Sequence, residues 1–282
     1  MGADLDPLAR TALWTASMRA REHARDDRLF EEPLAELLAT EQGPQIMRGF
    51  EGEVQQGVQD PALAVRTRFF DEAIGRAAAS GVRQFVFVAA GMDTRAYRLV
   101  WPAATVVFEL DRPALLDLKR ALVDGSGAEP GCDLRPIGVD LLEDWTTPLL
   151  DAGFSPVQPA LWLVEGLLYF LSAHERDQLL KAITSMSASG SRLLADYVTQ
   201  TSLDSPRMEA WRTKMAASGH PWKSGCDDSE SLFAGMGWRA AVTAYGSPAA
   251  NFGRWAAAII APGVMATRGR YLIAAVMDRS AV

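Results

Sequence analysis

The stretch from Arg83 to Arg95, Arg-Gln-Phe-Val-Phe-Val-Ala-Ala-Gly-Met-Asp-Thr-Arg, constrains this chain more than any other. Phe85, Val86, Phe87 and Val88 form a short aromatic and β-branched run, the pattern of a strand buried on both faces. The run breaks at Ala89-Ala90-Gly91, where side chains almost vanish, and turns polar at Asp93-Thr94-Arg95. A buried strand entering a small-residue turn lets a ligand approach the backbone at the carboxyl edge of a sheet. A second apolar run, Thr105 to Phe108, leads to Glu109, with Asp111 just beyond. An acid about 20 residues after such a turn is where nucleotide-type sites hold a ribose. The two strands read as the cofactor half of a small-molecule enzyme.

The same alternation continues along the chain. Strands are expected at Leu134 to Val139, Ala160 to Val164, Ser191 to Tyr197, near Ala240 to Ala244, and at Arg270 to Met277. Between them lie helical patterns from Arg112 to Val123, with Pro113 in the first turn and Gly125 beyond the end, and after the capping box Ser172-Ala173-His174-Glu175. A further helix is expected near Glu230 to Met236. Before the first strand, residues up to about Ser80 read as helical. Leu8, Ala12, Trp14 and Met18 share one face, Pro33 opens a segment through Leu38, and Pro61 starts a helix carrying Arg66 and Arg68 that Gly81 ends. Alternating strands and helices predict an α/β, doubly wound, mostly parallel sheet. A helical cap (residues 1–80) precedes a core (81–282), and a polar, tryptophan-bearing stretch at about 199–235 is either helical cover or a functional lid.

Composition narrows the function. At 282 residues the chain is long enough for a substantial core. A net charge of −7 argues against a nucleic-acid surface, although Arg19, Arg21, Arg25 and Arg28 crowd one segment. Two distant cysteines, Cys132 and Cys226, lack metal or disulfide spacing, which fits a reducing compartment and no metal. The acidic start has no secretory core, and the apolar stretch from Trp255 to Met265, broken by Pro262 and Gly263, is too short to span a bilayer. A cytoplasmic protein without membrane or nucleic-acid partners is expected.

Val65-Arg66-Thr67-Arg68, Ala90-Gly91-Met92-Asp93-Thr94-Arg95, Glu109-Leu110-Asp111, Val139-Asp140-Leu141 and Glu165-Gly166-Leu167-Leu168-Tyr169, taken in order, resemble the leucine carboxyl methyltransferase-like family. The likeness is greatest to its bacterial, largely actinobacterial S-adenosylmethionine-dependent branch, and it covers nearly the whole chain. The resemblance implies a class I methyltransferase fold, Rossmann-like, with seven strands and S-adenosylmethionine as cofactor. It implies that Arg66 meets the cofactor or substrate carboxylate, with Arg68 beside it. Gly91, within the cradle from Ala90 through Asp93, Thr94 and Arg95, would admit the methionine portion. Glu109, beside Leu110 and Asp111, would accept from both ribose hydroxyls. Asp140 with Leu141 would hold adenine, Glu165 with Gly166 would face the amino group, and Tyr197 would stand near the substrate carboxylate. The family turn usually has glycine where this chain has Ala89, and a methyl there is tolerated if its backbone is not left-handed.

The chemistry agrees. S-adenosylmethionine carries an ammonium, a carboxylate and a ribose diol, which call for an acid, a base and an acid, and Glu165, Arg66 and Glu109 supply that set. Plainer readings stand beside these: Glu109 as a polar strand end, Asp140 as a turn residue, Arg66 and Arg68 as solvated helix charges, Arg95 as a brace for the turn, Tyr197 as core packing. A carboxylate acceptor is already ionised at neutral pH and needs no base, whereas a hydroxyl acceptor wants one. Of three histidines, His23 and His174 read as structural, and His220, in the lid-like stretch, is the one candidate base. The scarcity favours methyl ester formation on a small metabolite or peptide C-terminus, steered by Arg68, Tyr197 or Arg19. Ether formation on a phenol or alcohol, and a non-catalytic cofactor-binding sensor, are the alternatives. A nicotinamide enzyme is disfavoured, because the turn lacks the three-glycine spacing and Asp93 would repel a phosphate.

Overall fold

The structure is a computed structural model, and residues 5–51, 60–255 and 269–278 are described. Four helices come first: α1 (Pro7–His23), α2 (Ala35–Ala39), α3 (Gln42–Glu51) and α4 (Ala62–Ala79). Strand β1 (Gln84–Val88) follows, then α5 (Arg95–Arg98), β2 (Val106–Asp111), α6 (Pro113–Ser126), β3 (Asp133–Gly138), α7 (Thr146–Asp151) and β4 (Ala160–Val164). After a 3-10 turn at Leu168–Phe170 come α8 (Ala173–Ser185), β5 (Arg192–Val198), α9 (Gln200–Leu203), α10 (Glu209–Ala217), α11 (Ser229–Ala234), β6 (Trp238–Ala244) and β7 (Arg270–Met277).

The seven strands form one sheet in the order β3-β2-β1-β4-β5-β7-β6. The first five pair in parallel and β7 runs antiparallel between β5 and β6. All five residues of β1 and of β4 are buried, as expected for central parallel strands. Strand β3 lies at the edge, half-exposed, which is where Pro136 can sit without breaking a ladder. The order reverses between β1 and β4, and that switch point opens a crevice at the carboxyl ends of the strands.

Side-chain alternation sorts the core by face. Val86, Val88, Trp162 and Val164 join one cluster, with Phe108, Leu180 and Tyr197. Phe85, Phe87, Leu161 and Leu163 join the other, with Val65, Phe70 and Ile74 of α4. Helix α8 carries the capping box: Ser172 accepts from the Glu175 N–H and Glu175 from the Ser172 N–H.

Three differences from the sequence reading have physical causes. Helix α3 was not singled out within the stretch up to Ser80 that reads as helical; Pro44 falls in its first turn, where proline is tolerated. Helix α6 continues through Gly125 to Ser126. In α1 the buried stripe includes Leu13 with Ala9, Ala16 and Ser17, three small residues that allow α2 and α3 to pack closely, while Leu8, Ala12, Trp14 and Met18 line a cavity. The stretch 199–228 is mostly helical cover, α9 and α10 with a 3-10 turn at Pro206–Met208 between them. Of the apolar stretch from Trp255 to Met265, all but Trp255 lies outside the described residues, among which no helix is long and apolar enough to cross a membrane.

Candidate active site

A cavity of about 1130 Å³ opens at the switch point. Its floor is the turn after β1. Ala89 sits there at φ +57° and Gly91 at φ +53°, both left-handed. The condition under which Ala89 would be harmless is therefore not met, since this geometry strains any residue with a Cβ. A Cβ on Gly91 would come within 3.1 Å of Ala12 on α1, so the turn and the first helix close on each other too tightly for a larger residue. The Ala90 N–H donates to the Leu110 carbonyl at 3.1 Å and the Gly91 N–H to Asp111 Oδ2 at 2.7 Å, which tie the turn to the end of β2.

A buried ion network runs along one wall. Arg66 of α4 donates from Nε to Glu165 Oε1 and from Nη1 to Asp196 Oδ2, each at 2.8 Å, so one guanidinium bridges the tips of β4 and β5. Arg95 reaches Asp71 at 2.7 Å, Glu165 at 2.9 Å, and Asp93. Arg98 pairs with Asp71 and Glu32, and Arg19 joins Glu32 to the Met92 carbonyl. Four guanidinium groups thus face five carboxylates: Glu32, Asp71, Asp93, Glu165 and Asp196. Burial pushes the Glu165 carboxyl up, but Arg95 and Arg66 outweigh it and hold the group below its ordinary value. Burial likewise raises Asp93, and Arg95 more than offsets it. For Asp196 burial wins over Arg66 and the Gly166 N–H, and its carboxyl is raised.

Of the residues expected at the site, Arg66, Ala90, Gly91, Asp93, Arg95, Asp111, Glu165, Gly166 and Tyr197 line this cavity. The others do not, each for a local reason. Glu109 lies one pleat period before the tip of β2, and its buried carboxylate pairs with Lys119 Nζ at 2.7 Å. It therefore does not reach the cavity expected of a ribose acceptor; Asp111 does, its carboxyl raised by burial despite the Gly91 and Arg112 N–H groups. Leu110 points into the core and Thr94, fully buried, precedes α5 as its cap residue. Asp140 accepts from the Leu142 N–H at 3.0 Å and stands 3.6 Å from cavity-lining Arg112, while Leu141 packs on the core, so both are neighbours of the cavity rather than its wall. Arg68, two residues past Arg66 and so turned away on the helix, is exposed and bonded to Glu72 and the Leu29 carbonyl. His220 closes the end of α10, packs edge-on against Phe170 and does not line the cavity, which removes the geometric basis for its role as a base; burial lowers its imidazole pKa.

Tyr197 lines the cavity, but its hydroxyl is committed. It accepts from Arg176 at 3.1 Å and meets Ser224 at 2.7 Å, and Ser224 in turn donates to the Leu171 carbonyl. Alternation along β5 explains this, because Asp196 projects to the face that holds Arg66 and Tyr197 to the opposite one. Sequence reasoning passed over Asp71, Glu32, Arg98 and the role of Asp196. A charge directly beside a fully apolar run, as in Phe69-Phe70-Asp71 or Leu193-Leu194-Ala195-Asp196, was the available signal.

The cofactor implied by the sequence fits this wall. The network's excess of one carboxylate matches a ligand whose sulfonium and ammonium outnumber its carboxylate. Gly166 sits at φ +72°, a conformation that favours glycine, and a Cβ there would stand in ordinary contact, 3.4–3.5 Å, with the Tyr169 hydroxyl and both terminal nitrogens of Arg66, taking up part of the hollow beside them. Arg66 and Glu165 could hold the amino-acid end and Asp111 a ribose diol.

A family model described as leucine carboxyl methyltransferase matches residues 12–184. A presumed S-adenosyl-L-methionine-dependent methyltransferase of Parafrankia sp. is 39% identical over 246 residues, 82% of this chain and 77% of that protein. One of Mycolicibacterium smegmatis is 40% identical over 220 residues, 74% of each. Among solved structures, a DUF574 family protein of Streptomyces avermitilis aligns with a TM-score of 0.60 at 17% identity, covering 94% of this chain and 97% of that one. Magnesium protoporphyrin IX methyltransferase of Synechocystis, solved with SAH bound, aligns at 0.50 and 12% identity over 84% and 95%. These two show the shared class I methyltransferase fold, while the family model and the relatives near 40% identity go further. The chain belongs to the leucine carboxyl methyltransferase family.

Proposed function

We propose that the chain transfers a methyl group from S-adenosylmethionine to a carboxylate, forming a methyl ester on a small metabolite or a peptide C-terminus. S-adenosylmethionine-dependent methyl transfer follows from the family; the acceptor is inferred from the cavity wall. The observation that carries it is the want of a base. Among the described residues no histidine lines the cavity, and each lining carboxylate is already held by a guanidinium or by backbone N–H groups. Burial raises the hydroxyl pKa values of Tyr169 and Tyr245, so neither is a ready phenolate. An acceptor that is already an anion needs none of them.

The cofactor supplies an electrophilic methyl on a sulfonium. The chain's share is alignment, worth roughly 7–11 kcal/mol when two reactants are well oriented. Glu165 and Arg66 fix one end, Asp111 the other, and α1 and α10 exclude water. Arg207, exposed on the 3-10 turn before α10, lines the cavity and has no hydrogen bond or ion pair among the described residues. It is free to draw an anionic acceptor inward.

Three measurements test this. A labelled methyl group on the product must be released by mild alkali, and a methyl that survives saponification overturns the carboxyl acceptor in favour of an ether. Arg207→Gln is expected to raise KM for the acid about tenfold at low salt and less at high salt; no change removes Arg207 from the reading. Cofactor binding without any single-turnover transfer would instead indicate a sensor.

A further inference from the structure

The acceptor side of the cavity has a composition that narrows the acid. Five aromatic residues from separated parts of the chain line it: Trp14 on α1, Tyr169 and Phe170 on the 3-10 turn after β4, Trp211 on α10, and Trp222 on the segment returning from it. They form a continuous series. Trp14 and Trp211 lie 6.0 Å apart between centroids, Trp211 and Trp222 5.8 Å, Trp222 and Tyr169 4.4 Å, and Tyr169 and Phe170 4.8 Å. The interplanar angles run from 36° to 73°, so both faces and edges are presented along the wall. All five are only half-buried, and Trp14, Phe170 and Trp211 belong to none of the three buried core clusters. Large rings left part-covered inside a cavity are what a ligand would cover. The cavity is also larger than the ~300–1,000 Å³ usual for one ligand, so a second reactant has room. The buried indole N–H of Trp222 has no acceptor among the described residues, which leaves the wall a donor for an acyl oxygen.

We propose that this wall selects a planar aromatic carboxylic acid over an aliphatic acid or an aliphatic peptide terminus. The proposal rests on the carboxyl reading above. Its physical basis is the ring quadrupole. A wall of tilted and edge-on rings is complementary to another π-system, whereas a saturated chain gains dispersion alone. Arg207, at the rim beside the segment that carries Trp211, supplies the charge complementarity for the carboxylate.

The test uses the protein saturated with S-adenosylhomocysteine and three probes on one fused-bicyclic carbon skeleton: planar 2-naphthoic acid, its puckered decahydro counterpart, and 2-naphthol. Calorimetry should give the naphthoate a Kd about tenfold below that of the saturated acid, the value of one or two aromatic contacts. Trp211→Leu should bring the two acids to parity, and Trp211→Phe should restore most of the difference, which a merely structural role would not do. Equal or tighter binding of the saturated acid overturns the proposal. So does an equal loss for both acids in Trp211→Leu, or failure of all three probes to bind at millimolar concentration. Turnover with S-adenosylmethionine separates the two levels. Methylation of naphthol and not naphthoate sinks the carboxyl reading and leaves the aromatic wall standing, while faster methylation of the saturated acid does the reverse.

Discussion

Asp111 reaches back over twenty residues to accept the Gly91 N–H at 2.7 Å, which welds the tip of β2 to the turn after β1. Its neighbour Glu109, two residues earlier on the same face, is instead sealed against Lys119. The two acids should therefore fail differently. Asp111→Asn is expected to weaken cofactor binding about 10- to 100-fold, the worth of hydrogen bonds to a charged group. Glu109→Gln should leave affinity within about twofold and cost roughly 3 kcal/mol of stability, because Lys119 is left buried without its counter-ion. Calorimetry and denaturant unfolding of both variants check this, and a larger affinity loss in Glu109→Gln would return the ribose to Glu109.

The pH dependence of stability should carry the signature of Glu165. Its folded pKa lies below the ordinary value of 4.5, so its stabilisation is present above that value and lost as pH falls through the folded one. Asp196, raised by burial, acts with the opposite sign: its contribution is present below its ordinary 3.8 and is lost as pH rises through the folded value. Urea unfolding from about pH 3 to pH 7 should show a shallower acid limb for Glu165→Gln than for the wild type. An unchanged limb would mean that Glu165 is not ionised against Arg66 and Arg95.

Ala89→Gly should stabilise the protein. A left-handed residue with a Cβ costs roughly 1–2 kcal/mol, and glycine gives back about 0.5–1 kcal/mol through its looser unfolded chain, so a gain of roughly 0.5–1 kcal/mol is expected. Thermal unfolding should rise by a few degrees, with cofactor affinity equal or better. A lower Tm would show that the turn relaxes around alanine.

Tyr197→Phe should lower stability by about 1–2 kcal/mol, since Arg176 and Ser224 lose a shared buried partner. Cofactor affinity and the KM for the acceptor should stay within about twofold. A KM that rises while Tm holds would restore the hydroxyl to the acceptor.

The sheet was legible because its central strands, five to seven residues long, are built on apolar runs; β4 and β7 were located to the residue. The turn at Ala90-Gly91 and the acid after β4 were legible because apolar runs ended abruptly in small or charged residues, and Arg66 through the ordered motifs of the family resemblance. What escaped was orientation. Glu109 and Asp111 share a face, and nothing in the one-dimensional pattern tells which of two acids sits at the strand's tip. The same holds for Tyr197, where the residue one step earlier carries the charge that meets Arg66. His220 and Arg68 failed for another reason: residue type suggested chemistry, while helix phase and burial decided where each side chain could go. The Asp71, Arg98 and Glu32 pairs are products of tertiary packing between α4, α5 and the α1–α2 connection, contacts that no local pattern encodes.

Arg66 finds Glu165 and Asp196 at separations of 99 and 130 residues. During synthesis at about 5–20 residues per second, its helix leaves the ribosome roughly 6 to 26 seconds before both counter-ions exist. Until then Arg66 lacks both partners, and a proteolytic fragment beginning at β1 would leave Asp196 without its guanidinium and Glu165 with Arg95 alone. Arg66 thus ties the amino-terminal helices to the sheet through ion pairs that neither part holds alone.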